Sequence, residues 1–462
     1  MSKKARAVKG HLTVSEIRQI TKKSGAKIHF VGIGGVSMYS LAAFALNNGF
    51  TVSGSDREAS RRTDRLIELG ASVYIGDDAS EPPLVDAVIY SHAIPSSHPT
   101  LLAAESRGIP TLSRAEYMGA LMPDYTARIG ISGSHGKSSV TAMLDSIFEA
   151  AGIGHATLSG ADLPIGEPYR IGSGALLYEA CEYRDSFLHF LPTVAVALNL
   201  ELDHTDYFAD IEQLRDSFRR SLKRAQNYAI INAEDENLAK IKGDIGDKVI
   251  TFGYSHDSDY RYQITEYRRC GFVFSVYRQG RELGSFELNI PGSFNVANAT
   301  AAIAVATEQG IDKKFIAEAI STYRGIDRRL QPVGMRGRRM VYYDYAHHPT
   351  EIAASISALR QLTDEHITVI FKPHTYSRTA GLWLGFVSAL SLADHLILTD
   401  IYAAREEPID EVSSQRLASA INGAIYCSDD EILRAIDLYT RGTIVIMGAG
   451  DLEKIKNQVL NK

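Results

Sequence analysis

Thr126-Ala127-Arg128-Ile129-Gly130-Ile131 runs into Gly133-Ser134-His135-Gly136-Lys137-Ser138-Ser139, and the stretch from Ser138 to Ala151 follows. The first run is short, apolar and β-rich. The last carries Val140, Met143, Leu144, Ile147, Phe148 and Ala151 at the i, i+3, i+4, i+7 spacing of a helix packed on one face. Strand, glycine loop and helix in that order are the context of a phosphate-binding loop. Its glycines let backbone N–H groups converge on phosphate oxygens, and the helix N-terminus adds a favourable dipole. In this reading Gly133, Ser134, His135, Gly136, Lys137, Ser138 and Ser139 hold ATP. Lys137 bridges the β- and γ-phosphates, and the Ser138 hydroxyl reaches Mg²⁺. The strict pattern also places a glycine where this chain has Ile131. The plainer alternative is a glycine-rich turn with an exposed lysine.

Outward from this loop, strands and helices alternate, which predicts parallel sheets covered by helices. Strands are expected at Thr193 to Leu198 and Tyr228 to Asn232 in the same sheet as the loop. Antiparallel hairpins between Tyr260 and Ile290 are expected beside that sheet, and a helix over Pro291 to Gln309. Upstream, Lys27 to Val31 reads as a strand and Met38 to Asn48 as a helix, with further strands at Phe50 to Ser53 and Asp86 to Ser91. Residues 1–26 read as an extension with a short helix. Downstream, strands are expected at Met340 to Tyr343, Ile367 to Phe371, His395 to Thr399 and Thr443 to Met447, with Gly448-Ala449-Gly450 turning into a last helix. The chain thus divides into 1–124, 125–326 and 327–462.

At 462 residues, with 45% hydrophobic and 23% charged residues, two or three globular domains are expected. No run approaches the roughly 20 apolar residues that span a bilayer, and no apolar signal core follows the basic start Met1-Ser2-Lys3-Lys4-Ala5-Arg6. The three cysteines, Cys181, Cys270 and Cys427, are scattered. They suggest neither a disulfide framework nor a zinc knuckle, and the cytoplasm is the expected compartment. A net charge of −6 argues against a nucleic-acid partner. Anionic nucleotides must then be held by local loops and isolated cations.

Candidates of that kind sit where strands should end, which is where ligands bind in such sheets. Gly32-Ile33-Gly34-Gly35-Val36-Ser37 follows the first strand, and Ser55-Asp56 ends the second. Together they suggest a diphosphate-containing ligand, equally NAD or a UDP-sugar, with Ser37 where a third glycine usually stands. Glu179-Ala180-Cys181-Glu182 and Asn199-Leu200-Glu201-Leu202-Asp203-His204 offer hard oxygens and a nitrogen for a divalent ion, or merely helix caps and solvated acids. Asp344-Tyr345-Ala346-His347-His348 and His374-Thr375-Tyr376-Ser377-Arg378 place two cation-rich loops at what reads as neighbouring strand ends, suited to an anionic substrate near a γ-phosphate.

These motifs, in this order, resemble the Mur ligase family. The likeness runs from about Lys27 to near the C-terminus. It also rests on Pro-Gly-Ser-Phe-Asn-Val-Ala-Asn at 291–298, Arg328-Arg329, Tyr-Ala-His-His-Pro-Thr-Glu at 345–351 and Ile-Tyr-Ala-Ala-Arg-Glu at 401–406. The resemblance implies an α/β protein of three domains. These are a Rossmann-like UDP-binding domain, a central ATPase with added antiparallel strands, and a Rossmann-like C-terminal domain that closes over both. It implies UDP-sugar contacts from Gly32, Gly34, Gly35, Ser37, Ser55 and Asp56, without NAD. It implies Mg²⁺ ligation by Ser138, Glu179 and His204, ATP contacts from Asn295, Arg329 and Asp344, and catalytic roles for Lys137, His347, His374 and Arg378. The implied reaction is ATP-driven amide formation in peptidoglycan synthesis, joining L-alanine to UDP-N-acetylmuramate. The stretch Leu214 to Arg219 lacks the lysine that several sister ligases carbamylate, which suits the alanine-adding branch. Ser134 and Ser138 stand for the family's usual Thr, Cys181 for an Asp and Phe294 for a His. Sister ligases adding a peptide or another amino acid, and a sensor that binds both nucleotides without ligation, are the alternatives.

Overall fold

The computed structural model describes residues 14–21, 23, 25–76, 82–404 and 406–461, and the statements below concern these. The basic start at residues 1–6 and Arg405 of the last motif lie outside them. A short helix, Val14–Thr21, does occur within the N-terminal extension.

The strands form three sheets. In the first, β1 (Lys27–Val31), β2 (Thr51–Asp56), β3 (Ser72–Ile75), β4 (Ala87–Tyr90) and β5 (Thr111–Ser113) lie in the order β3-β2-β1-β4-β5, and every pair is parallel. Chain order reverses on either side of β1, so the loop leaving its carboxyl end opens at the switch point. Ile28, Phe30 and Val31 are buried, as expected of a strand covered on both faces.

The second sheet has ten strands. They are β6 (Ala127–Ser132), β7 (His155–Leu158), β8 (Tyr169–Arg170), β9 (Ala175–Glu179), β10 (Val194–Ala197), β11 (Tyr228–Asn232), β12 (Val249–Gly253), β13 (Tyr260–Arg268), β14 (Gly271–Arg278) and β15 (Arg281–Leu288). β6 lies between β9 and β10 and is parallel to both. The antiparallel hairpins do not lie beside this sheet but continue it. Phe252 and Gly253 of β12 pair with Tyr260 and Arg261 of β13. The helix Lys137–Ala150 buries Val140, Met143, Leu144, Ile147 and Phe148, each worth roughly 1.5–3 kcal/mol of transfer. It packs on the helix Phe294–Glu308. Alanines at 299, 301, 302, 304 and 306 of that helix are buried, and their small size lets the two backbones approach.

In the third sheet, β16 (Gln331–Arg336), β17 (Arg339–Asp344), β18 (Ile367–Phe371), β19 (His395–Leu398), β20 (Ile425–Tyr426) and β21 (Thr443–Met447) take the order β16-β17-β21-β18-β19-β20. The loops after β17 and β18 are therefore not at neighbouring strand ends, because β21 returns between them. Gly448-Ala449-Gly450 follows β21, so the residues separating the two cation-rich loops are small. No helix among the described residues is long and apolar enough to cross a membrane.

Candidate functional site

Because β6 is flanked by β9 and β10, the loops after all three meet at one edge. Gly133 (φ 141°) and Gly136 (φ 85°) adopt conformations that L side chains avoid. A Cβ on Gly136 would also lie 2.7 Å from Asn298 Oδ1. The Ser134 hydroxyl donates to the Glu201 carbonyl and accepts from the Glu201 N–H, both at 2.9 Å. Asn199 clamps His135 through its backbone N–H and carbonyl, at 2.8 and 3.1 Å. Lys137 folds back on the Gly133 carbonyl and lies 3.4 Å from Glu182. Burial opposes its charge, but Glu182, Cys181, Glu179 and Asp203 outweigh that and raise its pKa.

The proposed metal ligands border this lysine. Glu179 accepts from the Gly160 N–H at 2.5 Å and the Ser159 hydroxyl at 3.1 Å. Ser138 is buried in the first turn of the helix. His204, at φ 54°, has Nε2 3.9 Å from Glu182. Glu182, expected only as part of an acidic cluster, is the carboxylate nearest to both Lys137 and His204. Glu179, Glu182 and Asp203 thus place negative charge around Lys137, and carboxylate oxygens are the donors a hard divalent cation prefers.

Two charged bridges join this edge to the third sheet. Arg378 grips Asp203 in a forked contact at 2.9–3.2 Å. Burial would raise the Asp203 pKa, but Arg378 chiefly holds it well below the usual carboxylate range. The second bridge centres on His135, whose Nε2 is 3.3 Å from Glu201 and whose Nδ1 is 3.2 Å from Glu351. Burial opposes protonation, but the two carboxylates prevail and raise the imidazole pKa to about 9. Glu351 also receives Arg329 at 3.3 Å and the His347 N–H at 3.1 Å. Glu351 was missed, and Glu201 was expected only within an acidic cluster. Glu201 meets Ser134 and His135 inside the central unit and His348 and Thr350 outside it, whereas Glu351 gains its role across the boundary, although it bears a local sign, the capping box with His348.

His347 and His374 differ in a way that residue type does not reveal. Nδ1 of His374 accepts from Arg378 at 2.9 Å, so its ring proton resides on Nε2. Nδ1 of His347 donates to the Tyr345 carbonyl at 2.9 Å, which leaves an Nε2 lone pair. Burial lowers their pKa values to about 3 for His374 and about 4 for His347, so both rings are neutral at pH 7. Asp344 is fully buried and its pKa is pushed up to about 6. Its carboxylate accepts from Leu330 and Ala346 N–H groups and the Ser355 hydroxyl, at 2.7–3.0 Å.

Two cavities open near this edge. One of about 930 Å³ is lined by Gly136, Ser139, Asn295, Arg329 and Asp344, which joins these ATP candidates in one space, with Phe294 also in its wall. The other, of about 970 Å³, lies where all three units meet, with Arg57, His92, Tyr183, His204, His374 and Arg378 in its wall. The six candidates in the first sheet stand apart from this wall. Gly32 N–H donates to the Ser55 carbonyl at 2.8 Å, and Gly34 N–H to the Asp56 carboxylate at 2.8 Å. Gly35 caps the helix Val36–Asn47, whose first turn contains Ser37. Arg57, next to Asp56, is what reaches the shared cavity.

Comparison with known proteins assigns all three units. Residues 27–126 match the Mur ligase family catalytic domain, 131–306 the Mur ligase middle domain, and 328–450 the Mur ligase glutamate ligase domain. The chain belongs to the Mur ligase family. It is 40% identical to the UDP-N-acetylmuramate–L-alanine ligase of Caldicellulosiruptor saccharolyticus, over 94% of this chain and 98% of that one. The corresponding enzyme of Clostridium acetobutylicum is 38% identical with the same coverage. Among solved Mur ligases, the UDP-N-acetylmuramate–alanine ligase of Thermotoga maritima superposes with a TM-score of 0.81 at 25% identity, covering 94% of this chain and 98% of that one. A murein peptide ligase from Psychrobacter arcticus shares the fold with a TM-score of 0.74 at 24% identity, covering 95% and 98%.

Proposed function

We propose that this Mur ligase joins L-alanine to the lactyl carboxylate of UDP-N-acetylmuramate at the expense of ATP, in peptidoglycan synthesis. The observation that carries the reading is a pair of cavities beside the central sheet, one lined by the phosphate loop and the third sheet's domain and one lined by residues of all three units. ATP occupies the 930 Å³ cavity with its γ-phosphate at Lys137. The sugar nucleotide brings its carboxylate through the 970 Å³ cavity. Near-namesake activity in relatives 38–40% identical over almost the whole chain supports the choice of substrates.

A carboxylate oxygen attacks the γ-phosphorus, the bond to the β-phosphate oxygen breaks, and ADP leaves. The alanine amine then attacks the acyl carbon, and phosphate departs with the carboxylate oxygen. Catalysis is mostly positioning and charge neutralisation. Lys137 is the fixed cation at the transferring group. Ser138, Glu179 and His204 would hold Mg²⁺, which supplies further neutralisation of phosphate charge when bound. Arg378 and His374 orient the muramyl carboxylate. His347, with a free Nε2 lone pair, takes the amine proton, and His374, already protonated at Nε2, does not.

The test labels the lactyl carboxylate of UDP-N-acetylmuramate with oxygen-18 and supplies ATP, Mg²⁺ and L-alanine. The expected result is one labelled phosphate per amide and per ADP. ADP release without the sugar nucleotide, or label retained wholly in the amide product, would overturn the reading.

A further inference from the structure

We propose that His135, Glu201 and His348 form a site for a transition-metal dication such as Zn²⁺, lying between the phosphate loop and the third sheet's domain and separate from the Mg²⁺ ligands. Ligand atoms of the three residues all lie within 4.8 Å of one another. His135 Nε2 is 3.3 Å and His348 Nδ1 3.5 Å from the same Glu201 oxygen. Two donors about 2.1 Å from a tetrahedral ion are separated by roughly 3.4 Å, so these spacings need little adjustment.

The surroundings prepare the ligands. The Glu351 carboxylate, 3.2 Å from His135 Nδ1, orients that ring so that Nε2 faces Glu201, the carboxylate–histidine arrangement found behind metal-bound imidazoles. His348 is buried, and the Thr350 N–H approaches its Nδ1 at 3.4 Å. The ring proton therefore sits on Nε2, which has no partner within the protein, and a bound ion would take over the Nδ1 lone pair from the long Thr350 N–H contact. The Thr350 hydroxyl fixes the Glu201 carboxylate at 2.6 Å. The Glu201 and Glu351 carboxylates face the His135 ring from its two nitrogens, so the place favours positive charge, which a dication would supply. Two imidazoles and one carboxylate select Zn²⁺, Co²⁺ or Ni²⁺ over Mg²⁺, which prefers oxygen and retains its waters. Bound there, the ion ties the phosphate loop to the loop after β17 and holds the two domains closed, which slows nucleotide exchange.

The experiment uses the full chain with Co²⁺ as probe and Mg²⁺ in large excess, reading visible ligand-field absorption and competition with a chromophoric chelator. One Co²⁺ per chain is expected to bind tightly. His348→Asn, which still caps its helix, and Glu201→Gln should each weaken binding at least roughly tenfold, while His204→Ala leaves it unchanged. Thermal unfolding without metal verifies that each variant is folded. Equal Co²⁺ affinity in wild type, His348→Asn and Glu201→Gln would overturn the proposal, as would no tight binding, or loss of binding through His204→Ala alone.

Discussion

At the scale of single residues, the account rests on Lys137 and on the tautomers of two histidines. Lys137→Ala should abolish ligation, since a charge aimed at the transferring phosphoryl group is worth on the order of 3 kcal/mol or more. Calorimetry should show UDP-N-acetylmuramate binding nearly intact, because the proposed site for that ligand lies toward the first sheet; collapse of sugar-nucleotide affinity would refute the division of ligands. For His347→Gln the expectation is a kcat lower by roughly 10²–10⁴ at neutral pH. The deficit should shrink toward alkaline pH, where alanine arrives already deprotonated. His374→Gln should instead raise KM for the sugar nucleotide with little change in the pH profile. If the two variants exchange these signatures, the base is His374.

At the scale of elements, the contact between the phosphate loop and the helix Pro349–Leu362 depends on charge at His135. Its folded pKa of about 9 lies above the ordinary 6.5, so the stabilisation is complete below about 6.5 and is lost as pH rises through about 9. The upper bound of that loss is on the order of 3 kcal/mol. Denaturant midpoints at pH 7 and pH 10 provide the check. Wild type should lose more stability across that interval than His135→Gln, and parallel losses would contradict the assignment. Elements also show what could be read without coordinates. Apolar runs such as Ile367–Phe371 and Thr443–Met447 are buried along their whole length, and burial on both faces writes itself into composition. Ser72–Ile75 is mostly exposed and Ile425–Tyr426 only two residues long, so neither left a pattern to find. The phosphate loop was legible because its chemistry is local. The individual roles of Glu182, Glu201 and Glu351 were not, because each becomes informative only when another strand end delivers a partner. The return of β21 between β17 and β18 was hidden for the same reason, since chain order does not state sheet order.

At the scale of the whole molecule, Arg378–Asp203 and His135–Glu351 hold the central and C-terminal domains together over the loop. An acyl phosphate open to water would hydrolyse, so closure before phosphoryl transfer is advantageous. L-Alanine should therefore bind weakly to free enzyme and markedly better with UDP-N-acetylmuramate and a non-hydrolysable ATP analogue present. Equal affinity in both cases would place its site outside the domain junction. The central claim is that this fold and these cavities serve alanine addition to a muramyl carboxylate. The direct measurement is kcat/KM, followed by ADP release with ATP, Mg²⁺ and UDP-N-acetylmuramate, for L-alanine, glycine, L-serine and a muramyl-type tripeptide in parallel. The account predicts that L-alanine leads the series, that omitting the sugar nucleotide abolishes ADP release, and that omitting the acceptor leaves at most a single turnover of ADP per enzyme. Preference for the tripeptide, or sustained ADP turnover independent of any acceptor, would contradict it.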